Sequence, residues 1–140
     1  MKTPAVLLLV TAGFALFAAA QSTKEIKKAP ISPTAVNSGP EMFKNYCAAC
    51  HGVDGKGGGP AAAALKIPPA DLTALAKKNS GKFPTARVER VIGGDDAIAA
   101  HGSSEMPLWR PLFDSLSPSN ESMAKLRIAN LTKYIESLQK

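Results

Sequence analysis

The sequence is short of the residues that most often carry chemistry. Among 140 residues there are two cysteines, two histidines and one tryptophan, and aromatics make up only 6%. A closed zinc site usually draws its ligands from two separated pairs. Beyond Cys47, Cys50 and His51 only His101 remains, so the second pair is missing. No stretch alternates apolar and polar residues convincingly, and the chain is rich in Ala, Gly and Pro, which leaves no βαβ context for a thioredoxin-like redox pair. There is no internal repeat. The net charge is +6, but the lysines are scattered, with no dense basic run and no interleaved aromatics. That pattern argues against nucleic acid as a ligand and fits acidic partners instead. The hydrophobic content of 45% is ordinary for one small domain. With so few aromatics, a bound apolar group would complete the core.

What is present centres on Cys47-Ala48-Ala49-Cys50-His51. Two cysteines three apart and an adjoining histidine form the attachment signature of a c-type haem. On a helical turn, both sulfurs reach the two vinyl groups along one edge of the porphyrin. Each becomes a thioether, and His51 is placed to offer a neutral imidazole to the iron. A redox pair or a structural disulfide would leave His51 unexplained.

Met1-Lys2 and the apolar run from Ala5 to Phe17, followed by Ala18-Ala19-Ala20, read as a secretory signal over 1–20. Lys24, Lys27 and Lys28 lie just beyond it, where positive charge disfavours translocation, so an uncleaved anchor is the competing reading. Residues 21–38 read as a flexible linker and 39–140 as the domain. Pro40 suits the first turn of a helix that carries Met42, Phe43, Tyr46 and Cys47 on one side. The loop Gly52 to Pro60 lacks the Ser or Thr after Gly-Lys that a phosphate loop needs. Its glycines instead let backbone pass close to the ring, with the Pro60 carbonyl as acceptor for His51 Nδ1–H. Asp71 is expected to cap a short helix to about Lys78, and Thr85 one containing Val88, Val91 and Ile92 and stopped by Gly93-Gly94. Residues 95–111 read as loop. Ser117-Pro118 is expected to open a long helix with an apolar stripe of Ala124, Ile128, Leu131, Tyr134, Ile135 and Leu138, and with Lys125, Arg127, Lys133 and Glu136 opposite.

Met106, flanked by Pro107 in a loop well after the motif, is the candidate for the second axial position. Met42 is too near Cys47 in sequence to reach the other side of the ring, and Met123 reads as core. His101 is the runner-up. Trp109 has two readings, a cover that donates its indole N–H to a propionate or a plain core aromatic. Arg110 likewise reads either as a propionate partner or as an exposed arginine.

These elements together resemble a class I, monohaem cytochrome c of the small bacterial type. The resemblance rests on Gly39, Phe43, Cys47, Cys50 and His51 at their spacing, then Gly59-Pro60, Met106-Pro107 and Tyr134 in the terminal helix, and it spans residues 39–139. The stretch Pro68-Pro69-Ala70-Asp71-Leu72 adds to it. It implies an all-α fold of about four to five helices wrapped around one haem c, iron protoporphyrin IX joined through two thioether bonds. It also implies a crossing of the first and last helices where Gly39 and Phe43 meet Tyr134, and His51 and Met106 as iron ligands. The segment between Met106 and the last helix is longer than the pattern expects. The function implied is electron transfer outside the cytoplasm, in the periplasm, with no enzymatic turnover. The resemblance does not name partners; with the basic charge, the expected ones are redox proteins with acidic docking surfaces, a dehydrogenase as donor and an oxidase or reductase as acceptor, steered by lysines such as Lys44, Lys56 and Lys66. Membrane association is expected only if the N-terminal segment is uncleaved. Two alternatives stand beside this: a haem subunit dedicated to one periplasmic dehydrogenase, and a peroxidase-like enzyme or gas sensor with an open iron position. The last would need a distal acid–base pair that the sequence does not show.

Overall fold

The computed structural model describes residues 32–95 and 106–140. The proposed signal or anchor, Lys24, Lys27, Lys28 and His101 lie outside the described residues. Five α-helical segments and three short 3₁₀ turns make up the described chain, and no strand occurs among the described residues. The all-α expectation holds.

The first helix is built in three pieces. Helix α1 (Gly39–Met42) is capped by the Ser38 side chain, which accepts from the Glu41 N–H at 3.4 Å, with Pro40 in its first turn. A single wide π-helical turn, Phe43–Cys47, follows and then helix α2 (Ala48–His51), which ends at Gly52 with φ 77°. Such a turn inside a helix often marks a functional segment. Here it carries Phe43, Tyr46 and Cys47 into the interior.

Helix α3 (Thr85–Gly93) stops at Gly94, whose left-handed backbone sends its N–H to the Arg90 and Val91 carbonyls. Helix α4 (Trp109–Ser115) takes the last three residues of the stretch expected to be loop and runs on toward Ser117, and it accounts for the extra length after Met106. Leu112 and Leu116 flank the buried Trp109 and Phe113, an apolar side that packs into the core. Helix α5 (Glu121–Ser137), with Asn120 as its cap residue, starts three residues later than a Ser117 cap suggested. Residues 117–120 close a turn of their own, and the Asn120 side chain caps Ser122 N–H at 3.1 Å.

The helix expected from Asp71 to Lys78 is instead two 3₁₀ turns, Leu72–Ala74 and Lys77–Asn79. The cause is the Gln139 side chain. Its amide donates to the Leu72 carbonyl at 2.7 Å and accepts from the Ala76 N–H at 2.8 Å. Those two groups would bond each other in an α-helix.

Helix α5 is the centre of the packing, with Ala124, Ile128, Leu131 and Ile135 all at most 3% exposed. It crosses α1 at Gly39, where an added Cβ would lie 2.6 Å from the Asn130 carbonyl and 2.7 Å from Tyr134 Cβ. Phe43 meets the Tyr134 ring at a centroid distance of 5.3 Å. This is the crossing the resemblance implied.

One side of α5 differs from expectation. Arg127 is not on a solvated face but 6% exposed, because residues 32–38 lie over it. Its Nη1 donates to the Thr34 carbonyl at 2.9 Å and to the Thr34 hydroxyl at 3.1 Å. The chain of bonds continues from Thr34 to Tyr46 OH at 3.0 Å and from Tyr46 OH to the Ser32 carbonyl at 2.9 Å. Asn130 adds a bond to the Val36 carbonyl at 3.0 Å. The segment 32–38, within the stretch that the sequence reads as a linker over 21–38, is therefore a strap that packs on the domain.

Candidate haem site

Cys47, His51 and Met106 come together along one cavity of about 270 Å³. Its walls are apolar, formed by Leu72, Leu75, Val88, Val91, Ile92 and Ile135. Three elements therefore supply them: the segment after Asp71, one side of α3, and the C-terminal half of α5. The amphipathic spacing of α3 explains its share, since Val88 and Ile92 stand one turn apart.

Cys47 and His51 also stand one turn apart and are each 8% exposed, while Cys50 is half-buried. Burial, with the neighbouring Cys50 adding to it, pushes the Cys47 thiol up to about 12. Cys47 therefore stays a neutral thiol at ordinary pH and is a poor partner for the thiolate exchange of a redox pair. Among the described residues, no three His, Cys, Asp or Glu side chains gather into a metal-holding cluster, so the zinc reading has no support.

His51 Nδ1 lies 3.1 Å from the Ala70 carbonyl oxygen. The expected acceptor, the Pro60 carbonyl, does not take this place. Gly59 N–H bonds the Cys50 carbonyl at 3.0 Å and Ala61 N–H the Ala49 carbonyl at 2.8 Å. Pro60 is thus pinned along the outer side of α2, and it is exposed. The later limb of the loop, at Ala70, replaces it. Gly57, at φ 90°, lets Pro69 and Ala70 pass so close that a Cβ there would overlap the Pro69 carbonyl oxygen. A donating Nδ1–H leaves the lone pair on Nε2, the tautomer that serves as a metal ligand.

Met106 is half-buried and packs on the core cluster. Met42 is fully buried beneath α5, and Met123 does not line the cavity. Trp109 stands in the core, at ring distances of 5.4 Å from Tyr46 and 5.8 Å from Phe113, rather than along the cavity. As the first residue of α4, its side chain packs into that aromatic stack, as the core reading of Trp109 expects. Arg110 pairs with Asp95 at 3.0 Å. Lys44, Lys56 and Lys66 are exposed and do not line the cavity. The lining holds polar residues that the sequence did not single out: Lys78, Asn79 and Arg87. Only the position of Arg87, next to Val88 on the apolar side of α3, hinted at it.

The residues fit a covalently held haem. The two cysteines stand at attachment spacing on one turn, Cys47 and His51 face a common cavity, and the remaining wall is apolar. No curated protein and no solved structure matches the chain. A family model does, the one described as cytochrome c, over residues 36–139. With nearly the whole domain matched and the Cys47, Cys50 and His51 turn opening onto an apolar cavity, the chain belongs to the cytochrome c family and carries haem c.

Proposed function

We propose that this protein is an exported electron carrier whose iron is held by His51 on one side and Met106 on the other. Family membership supports haem-based electron transfer in general. The observation that carries the finer reading is that His51 and Met106 line the same apolar cavity while the other described methionines do not. Bound haem c supplies an iron that exchanges one electron without making or breaking a bond. Cys47 and Cys50 fix its position, and the Ala70 carbonyl holds the His51 ring in register. Leu72, Leu75, Val88 and Ile92 keep water from the cavity. Met106 fills the position where a small substrate would bind, and a thioether there favours the ferrous state relative to a second histidine.

The apolar N-terminal run, with its small-residue end, supports export to the periplasm, where covalent attachment takes place. The excess of lysine supports redox partners with acidic docking surfaces, a dehydrogenase on one side and an oxidase or reductase on the other. Among the described residues, no helix is long and apolar enough to cross a membrane. Membrane association therefore depends on whether the N-terminal segment is retained.

The test is a spectroelectrochemical titration of the purified holoprotein together with its intact mass. A reversible one-electron wave, no turnover of peroxide, and a mass lacking about 20 N-terminal residues support the reading. Peroxide turnover contradicts the carrier role, and a full-length, membrane-bound product contradicts release.

A further inference from the structure

A haem brings two carboxylates into its site along with its apolar ring. Most of the cavity wall is hydrocarbon, and a bare carboxylate against such a wall is costly. The exceptions beyond the motif come from one stretch of chain, residues 78–87, which contributes Lys78, Asn79 and Arg87. A tight turn folds this stretch: Asn79 Nδ2 donates to the Lys82 carbonyl at 2.7 Å and Gly81 N–H to the Ala76 carbonyl at 2.8 Å. One N–H of the Asn79 amide is thus held by the turn, and the cations Lys78 and Arg87 are the charged lining. Neither has a described salt-bridge partner, whereas Arg110, for which the sequence left a propionate role open, is already paired with Asp95.

We infer that Arg87, with Lys78 beside it, is the positioning and charge-compensating pair for the haem propionates. Arg87 stands one residue before Val88 and one turn before Val91, on the same side of α3. A guanidinium there offers planar, paired donors matched to a carboxylate. Lys78 is the lesser member. It also lies in the field of Asp71, whose carboxyl it helps to hold below its usual range. A fixed cation at this border favours the reduced iron, because the ferric centre carries one more positive charge. The inference rests on the haem occupying this cavity, and it does not depend on Met106 as ligand.

The experiment compares holoprotein carrying Arg87→Gln, Arg87→Lys, Lys78→Gln, Lys77→Gln or Lys82→Gln. Lys77 and Lys82 are exposed neighbours that do not line the cavity. Arg87 is itself exposed enough that its replacement leaves the core intact. The expected result is a downward shift of the potential in Arg87→Gln, a smaller one in Lys78→Gln, and recovery of most of the shift in Arg87→Lys. Lys77→Gln and Lys82→Gln should match the wild type, and the Arg87 shift should survive added salt that screens surface charge. If Arg87→Gln behaves like Lys82→Gln, or if Arg87→Lys fails to recover, the inference is overturned. Ring-current-shifted methyl resonances of Val88 and Ile92 in the ferrous protein report separately whether the haem is in this cavity. If those shifts are absent, the site assignment fails; if they are present without the potential shift, only the propionate assignment fails.

Discussion

His51 Nδ1 and the Ala70 carbonyl oxygen stand 3.1 Å apart, and this bond ties the attachment turn to the Pro68–Leu72 stretch nineteen residues on. The bond depends on how closely the two backbones approach at Gly57, where φ is 90°. Gly57→Ala puts a Cβ into the Pro69 carbonyl and strains the backbone. The expected loss is about 1–3 kcal/mol of stability, read by chemical denaturation of the holoprotein. The histidine should also be less firmly held, visible as a shifted potential.

The crossing of α1 and α5 is equally intolerant. A methyl group at Gly39 meets both the Asn130 carbonyl and Tyr134 Cβ. Gly39→Ala should destabilise by about 1–3 kcal/mol, and Gly39→Val by more. Tyr134→Leu, which keeps bulk but loses the tilted contact with Phe43, should cost about 1 kcal/mol. Thermal unfolding followed by the haem absorbance ranks the three.

The terminal helices were legible because Met42, Phe43, Tyr46 and Cys47 in one, and Ala124, Ile128, Leu131, Tyr134, Ile135 and Leu138 in the other, are local patterns that a periodicity argument can read, while their crossing at Gly39 came from the family resemblance. The attachment turn was legible for the same reason. What escaped was decided by groups distant in the chain. Gln139 takes both the Leu72 carbonyl and the Ala76 N–H, and so turns a plausible helix into two 3₁₀ turns. Residues 32–38 cover Arg127, and so a charge that looked solvated is buried. Ala70 displaces Pro60 as the histidine's acceptor because Gly59 and Ala61 are bonded to α2. A backbone carbonyl leaves no mark in sequence, which is why that partner was misplaced.

The strap makes its own prediction. Tyr46 OH joins Thr34 to Ser32, so Tyr46→Phe removes both bonds while keeping the ring in its stack with Trp109 and Phe113. The expected cost is about 1–2 kcal/mol. Hydrogen exchange should rise in residues 32–38 and stay unchanged in α5. Exchange that rises evenly through the domain would show that the strap is not a separate unit.

Asp71 links acid stability to the turn that borders the cavity. The Thr73 hydroxyl, with its backbone N–H, holds the Asp71 carboxyl below its ordinary value of 3.8. A lowered value means that the carboxylate stabilises the fold at pH above 3.8 and that this contribution is lost as pH falls through the folded value. Asp71→Ala should cost about 1 kcal/mol or less at neutral pH, the loss of a partly solvated cap. The difference from wild type should close as the pH drops below 3.8, as denaturation curves taken across that range would show.

The central claim is that Met106 closes the iron to small molecules, which separates a carrier from an enzyme or sensor. Carbon monoxide binding to the ferrous protein at neutral pH tests it most directly, with wild type, Met106→Ala, Met42→Leu and Met123→Leu measured side by side. The expected result is no binding to the wild type or to the Met42 and Met123 variants, and ready binding to Met106→Ala with a lowered potential. Ready binding to the wild type, or a Met106→Ala protein that still excludes the gas, would contradict it.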